Sequence, residues 1–257
     1  MLSKSRLSFL RSLRQKKYRA EQKLFVAEGS KLVNEILHSS FGVTSLYATA
    51  KWLKENKTSS SRAGEIVTVE KEELSRISSL VTAADVLAIV RMPEHEFHLD
   101  LLKNSLVLAL DGIRDPGNMG TIIRVADWYG IDHIICSPDC AEIWNPKVVQ
   151  ASMGSLLRVQ IHEKVLPVLF SDVEFRRMDI PVYGAFLNGE NIYNTSPSNG
   201  ILVIGNEANG IEENVEKHIS HRITIPPFQH PDKKSGAESL NAAIATAVLV
   251  SEFRRKS

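Results

Sequence analysis

Three short stretches of the chain combine residue types able to hold a polar ligand, and each follows an apolar run. The first contains Asn118, Gly120 and Arg124, within and just after a turn holding Gly112, Pro116, Gly117 and Gly120. A strand, a glycine-rich turn and a helix start can turn backbone N–H groups toward an anion or a polar ligand. Gly120 and Arg124 are four residues apart and share a helix face. A bare glycine there admits a bulky ligand, with a guanidinium one turn away; the same spacing also suits an ordinary turn and a solvated arginine. In the second stretch, Gly205, Glu207 and Gly210 break an apolar run, and Glu212 and Glu213 favour the helix start that follows. Glu207 reads either as a working carboxylate or as a loop or capping group. In the third, Ile225-Pro226 leads through a polar loop to Glu238-Ser239-Leu240-Asn241. Neither GxGxxG nor GxxxxGK[ST] is present in these turns, which argues against a dinucleotide fold and a phosphate loop.

These residues need a frame. Leu106–Asp111 has the length and continuous hydrophobicity of a strand buried on both faces. Further strands read at His133–Cys136, Val182–Phe186, Ile201–Gly205 and Arg222–Ile225, with helices at Thr121–Tyr129, Val165–Met178 and Ile211–His218. That alternation predicts an α/β unit with a mostly parallel sheet and helices on both faces. Ligands of such sheets bind outside the carboxyl ends of the strands, so the three stretches are expected to converge. Ser239–Arg255 reads as a closing helix with Ser239 as N-cap; being apolar nearly all round, it is expected to pack on a second subunit as well.

The amino-terminal part has a different rhythm. Short elements alternate from Phe25 to Val90, among them a strand, a turn at Glu28-Gly29-Ser30 and a helix capped by Ser30. They suffice for one small α/β domain over residues 1–92. The polar, proline-bearing stretch Arg91–Leu102 marks a linker, placed at 93–104, and its His95 and His98 read as solvated. The remainder, 105–257, is the second domain.

Composition narrows the class. The apolar fraction of 43% is that of a packed globular protein, and the net charge of +1 announces no partner. The distribution of charge does: Met1–Ala20 holds seven cations (Lys4, Arg6, Arg11, Arg14, Lys16, Lys17, Arg19) and no acid, a pattern that suits RNA phosphates. Leu7, Leu10 and Leu13 give that segment an apolar stripe. It lacks the apolar core of a secretory signal, and although its composition superficially fits an organellar transit peptide, it runs straight into structured sequence. No apolar run reaches the ~18 residues of a membrane span. Cys136 and Cys140 are too few for a disulfide framework and lack the second pair of a zinc site, so no metal is expected and a reducing cytoplasm fits.

Taken together, the motifs carry a resemblance. NxGxxxR is met by Asn118, Gly120 and Arg124; GxExxG by Gly205, Glu207 and Gly210; and a strand-ending IP followed by ESLNxxxA by Ile225, Pro226, Glu238, Ser239, Leu240, Asn241 and Ala245. In this order they resemble the SpoU (TrmH-type) branch of the SPOUT methyltransferases. Phe25–Leu37 is similar to the small L30e-like RNA substrate-binding domain that precedes the catalytic domain in many members. The resemblance implies an α/β knot, a trefoil fold that binds S-adenosyl-L-methionine and forms a homodimer through the knotted domain. It implies methyl transfer to a ribose 2′-hydroxyl of ribosomal or transfer RNA. A base-methylating SPOUT enzyme and a non-catalytic RNA-binding protein are the alternatives.

The resemblance also distributes roles. Arg124 falls at the position described in the family as the activating base; since a guanidinium is hard to deprotonate, stabilising the developing alkoxide is the better description. Asn118 and Asn241 would orient Arg124 and the nucleotide, and Glu207 would hold that arrangement. Leu187, Gly205, Ile225 and Leu240 would meet the adenine and ribose of the donor. Two features depart from the pattern: Pro227 stands where members often carry methionine, and the loop Phe228–Gly236 is longer than usual. That loop brings His230, Asp232, Lys233 and Lys234 toward the pocket rim; it reads either as a plain surface insertion or, through Lys233 and Lys234, as a contact to RNA phosphate.

Overall fold

Leu106–Leu110 and Gly200–Ile204 are buried along their whole length in the computed structural model, which describes residues 2–197, 199–228 and 238–255. The chain divides into two compact units: Met1–Glu94 with Glu142–Leu157, and His95–Ala141 with Arg158–Ser257.

The first unit is built on a four-stranded sheet of β1 (Leu24–Glu28), β2 (Val43–Ala48), β3 (Glu65–Thr68) and β4 (Val86–Arg91), in the order β1-β4-β2-β3. β4 runs antiparallel to both neighbours, and β2 pairs parallel with β3. The leucine stripe at the amino terminus does face a core: Leu10 and Leu13 are buried with Val26, Leu74 and Leu87, and Leu7 packs against them. The basic segment is two helices, Lys4–Ser12 and Lys16–Gln22. Ser30 is not the N-cap of its helix, because Gly29 holds that place at φ 97°; the Ser30 hydroxyl instead accepts from Trp52 Nε1 at 2.9 Å.

Residues 142–157 belong to this unit through contacts that no local pattern announces. Trp144 stacks on Phe25 with ring centroids 4.6 Å apart, and the helix Pro146–Ala151 packs on β1. Arg19, only 2% exposed, donates Nη1 to Leu13 O at 2.8 Å and forks onto Glu142, its Nε lying 3.1 Å from Oε1. Arg19 is therefore a core residue and not a phosphate contact.

The second unit carries a six-stranded sheet in the order β10-β8-β9-β5-β6-β7. Its strands are β5 (Leu106–Leu110), β6 (His133–Cys136), β7 (Gln160–Glu163), β8 (Val182–Asn191), β9 (Gly200–Ile204) and β10 (His221–Thr224), every pair parallel. β7 had no expectation from sequence, since its residues QIHE carry little apolar signal. The first helix begins at Pro116 and not at Thr121. Asp115 caps it, accepting from Asn118 N at 2.8 Å, and proline at the first helical position has its φ preset. Gly120 consequently lies inside the helix and is buried, which removes it as an open ligand surface. The expected helix Val165–Met178 breaks into Leu166–Ser171 and Val173–Arg177, because Asp172 caps the second segment through Glu174 N and Phe175 N. Ile211–His218 shortens to Glu213–Glu216. The closing helix, Ala242–Arg254, starts after Asn241, whose side chain and not that of Ser239 accepts from Ala243 N and Ile244 N.

At the β6–β7 edge, His162 is 4% exposed, with its Nε2 3.4 Å from His133 Nδ1 and its ring 5.2 Å from that of Phe97. Burial, reinforced by His133, His95 and Lys164, pushes its pKa down to about 4. Between the ordinary value near 6.5 and about 4, the unfolded chain takes up a proton that the folded chain refuses, so stability falls as pH falls through that window. Replacing His162 by phenylalanine is expected to flatten the acid-side decline in Tm measured from pH 6.5 to 4.5. Parallel pH profiles for the two proteins would reject this account.

Candidate active site

The middle of β8 and the carboxyl ends of β9 and β10 open onto a cavity of about 460 Å³. Its walls come from Leu187 after the buried start of β8, from the turn at Gly205–Ile211 after β9, from Thr224 and Ile225 at the end of β10, and from Leu240, Ala245 and Leu249 leading into and along the closing helix. All four residues expected to meet the donor, Leu187, Gly205, Ile225 and Leu240, line this one space, together with Glu207. Leu187 and Leu240 remain 74% and 47% exposed, so their apolar surface is available to a ligand.

Beside the cavity, three of the four residues expected to act on substrate are joined by their side chains. Asn118 Nδ2 donates to Glu207 Oε1 in a short hydrogen bond, and Asn241 Nδ2 donates to Asn118 Oδ1 at 2.8 Å. The other end of the Asn241 amide caps the closing helix through Ala243 N at 3.0 Å and Ile244 N at 3.3 Å. One amide thus fixes a helix start and orients its neighbour. Arg124 is not brought into this cluster. It lies six residues beyond Asn118 on the same helix, about 9 Å along the axis; it is exposed and makes no hydrogen bond or ion pair among the described residues.

Two residues that the motif reading passed over hold the Glu207 turn in place. Asn206 uses its whole amide: Nδ2 donates to Gly112 O at 2.7 Å, and Oδ1 accepts from Ala208 N and Asn209 N at 3.0 and 3.1 Å. Its backbone pairs with Gly210 in both directions. Asp111, at the end of β5, accepts from Glu212 N at 2.6 Å. Burial raises the Asp111 pKa, an effect that the Glu212 N–H only partly offsets. The turn after β9 is therefore tied to the end of β5 at two points. The sequence signal for both was a polar residue placed directly at the end of a buried strand.

Gly205 and Gly210 make the tight turn possible. Gly210 sits at φ 72°, where side chains are rarely accommodated, and a Cβ on Gly205 would lie 2.3 Å from Gly210 C and 2.4 Å from Ile211 N. Gly205→Ala must shift backbone on both sides of Glu207. The expected cost is about 1–3 kcal/mol of stability, with weakened occupancy of the cavity by its ligand. Unchanged chemical denaturation and unchanged ligand affinity would show that the turn tolerates the methyl group.

Among the described residues, no group of three or more His, Cys, Asp or Glu side chains is arranged to hold a metal. Within the long loop after Pro227, residues 229–237 lie outside the described residues, and with them His230, Asp232, Lys233 and Lys234.

Comparison with known proteins agrees with the geometry over the whole chain. Residues 105–251 match the SpoU rRNA Methylase family, and residues 4–88 match the MRM3-like substrate binding domain. The chain is 28% identical over 250 residues to the 23S rRNA (guanosine(2553)-2′-O)-methyltransferase RlmP of Bacillus subtilis, covering 95% of this chain and 94% of that protein. Among solved structures, a TrmH-family protein from Porphyromonas gingivalis superposes with a TM-score of 0.87 at 41% identity, over 100% of both chains. The SpoU methyltransferase AviRb from Streptomyces viridochromogenes, crystallised with AdoMet, superposes at 0.84 with 25% identity, over 99% of this chain and 98% of that one.

Proposed function

This chain belongs to the SpoU rRNA methylase family, and from that membership we propose that it transfers a methyl group from S-adenosyl-L-methionine to a ribose 2′-hydroxyl of ribosomal RNA. The observation that carries the reading is the joining of Asn118, Glu207 and Asn241 beside a cavity lined by Leu187, Gly205, Ile225 and Leu240. These residues are dispersed over more than a hundred positions of sequence. The 2′-O specificity and the ribosomal substrate follow the names of its relatives, RlmP and the RlmB protein of Neisseria meningitidis, the latter 27% identical over 73% of this chain and 75% of its own.

The cavity suits the donor. Its volume of about 460 Å³ is within the ~300–1,000 Å³ usual for small-molecule sites, and Leu187, Ile225 and Leu240 give apolar walls for a flat heterocycle. Glu207 and Thr224 offer polar groups at its edge. When bound, the donor supplies a methyl group on an electrophilic sulfonium. The residues of the chain supply position and charge. Asn118 and Asn241 orient the incoming ribose, Glu207 holds them through a charge-assisted hydrogen bond, and Arg124 stabilises the negative charge that grows on the attacking oxygen.

Residues 1–92, with 142–157 packed onto them, serve as the L30e-like domain that holds the RNA, 93–104 as a linker, and the rest of 105–257 as the methyltransferase domain with a trefoil knot at its carboxyl end. Two copies pair through that domain, where Ile244 on the closing helix stands 53% exposed. The free thiols Cys136 and Cys140 suit the cytoplasm. The deciding experiment incubates the purified protein with ribosomal RNA and donor labelled at the methyl group, then maps the labelled atom. Label on a ribose 2′-oxygen is expected; label on a base, or none on any RNA, overturns the proposal.

A further inference from the structure

Resting on the reading of the first unit as an RNA-holding domain, the seven amino-terminal cations can be sorted by what each one touches. Three spend terminal guanidinium nitrogens on partners within the protein. Arg6 forks onto both oxygens of Glu65 at 2.8 Å, Arg14 donates to Ser78 O, and Arg19 is buried on Leu13 O and Glu142. The remaining four, Lys4, Arg11, Lys16 and Lys17, are exposed. Two of them, Lys4 and Arg11, line a groove of about 470 Å³ along the helices Lys4–Ser12 and Lys16–Gln22.

That groove has the chemistry of a nucleic-acid track. Arg11 is anchored by its Nε, which donates to Arg76 O at 3.1 Å, and its two terminal nitrogens have no partner among the described residues. Ser8, Ser12 and Gln15 add small polar groups, and no carboxylate lines it. Tyr18, 38% exposed, lines the groove as well. An exposed aromatic ring in an acid-free cationic groove is the arrangement that holds unpaired nucleotides, with phosphates on the cations and a base on the ring. A duplex keeps its bases stacked on one another and would leave the Tyr18 ring unused. We infer that this groove binds a short single-stranded segment of the substrate RNA, with phosphates at Lys4 and Arg11 and one base stacked on Tyr18.

The test uses the full-length protein and a fluorescein-labelled ten-nucleotide oligouridine, read by anisotropy from 50 to 300 mM salt. Tyr18→Ala is expected to weaken binding roughly tenfold, and Tyr18→Phe to restore it, because stacking needs the ring and not the hydroxyl. Lys4→Ala with Arg11→Ala is expected to lower the slope of log affinity against log salt by about 1.4, or about 0.7 per phosphate contact. Arg6→Gln, which removes an already paired cation, is expected to leave that slope in place. A blunt RNA duplex, and vesicles of anionic lipid, should show no dependence on Tyr18. The inference is overturned if Tyr18→Ala binds oligouridine as tightly as the parent, or if duplex or vesicle binding falls equally in that variant. Methyl transfer to ribosomal RNA is measured alongside: intact transfer with unaffected oligouridine binding refutes the groove alone. Absent transfer in every protein, with Tyr18-dependent binding, refutes the enzymatic reading and leaves the groove standing.

Discussion

Arg124→Ala is expected to reduce methyl transfer by about 10²–10³-fold, the usual loss when one preorganised group that meets developing charge is removed. The same variant should fold and bind donor as the parent does. Arg124 is exposed and has no partner among the described residues, and surface substitutions of that kind usually stay within about 0.5 kcal/mol of the parent in stability. The cavity walls at Leu187, Gly205, Ile225 and Leu240 do not include it. Its free guanidinium therefore has two possible uses, and kinetics separates them. If Arg124 only anchors an RNA phosphate, KM rises while kcat holds. If it meets the oxygen that attacks the methyl group, kcat and kcat/KM fall together. The second pattern is expected. Arg124→Lys should recover part of the rate, since the charge returns but the planar fork does not. Normal kcat in Arg124→Ala would reduce this residue to the solvated arginine that its spacing also allows.

How much of this could be read from the residues depended on how far apart the interacting groups lie in the chain. Leu106–Leu110 announces itself as a doubly buried strand because every residue has to be apolar there, and the structure buries each one. The meeting of the stretches that follow β9 and β10 at one cavity was legible once parallel strands were assumed, since strand ends on one edge must converge, whereas Leu187 and the donor itself were implied only by the family resemblance. Arg124 shows the limit of that reasoning: spacing of four from Gly120 gives a shared helix face, but it does not say that Gly120 is buried within the helix. Local chemistry was misjudged where two signals competed. Gly117 and Gly120 read as turn residues, yet Asp115 and Pro116 start a helix across them, and cap plus preset φ outweighed the glycines. Asn206 reads only as a polar residue after a strand end, because the partner that gives it a role, Gly112 O, is 94 residues away. Trp144 was missed for the same reason, its ring stacking on Phe25 from the far side of more than a hundred residues. Periodicity reports which face of an element is buried; it carries nothing about what arrives from elsewhere to cover that face.

Arg19 is the sharpest instance, and it yields the largest expected effect on stability. By charge count it is one of seven cations in an acid-free segment. In the fold it is 2% exposed, donating to Leu13 O and to both oxygens of Glu142, itself only 15% exposed. Arg19→Ala would leave the Glu142 carboxylate largely buried without its cation, and removing one partner of a buried pair typically costs about 3–5 kcal/mol. A pair exposed as Arg6–Glu65 is, at 38% and 46%, contributes about 0–1 kcal/mol by contrast. The expected result is a fall in chemical-denaturation midpoint for Arg19→Ala several times that for Arg6→Ala, although both variants lose one positive charge. Removing both partners, as Arg19→Met with Glu142→Gln, should recover much of the loss, because no uncompensated charge is left inside. Oligouridine binding by whatever fraction of Arg19→Ala is folded should keep the parent's salt slope. Equal, small destabilisation of Arg19→Ala and Arg6→Ala would mean that Arg19 is solvated after all, and its place among the phosphate contacts would have to be restored.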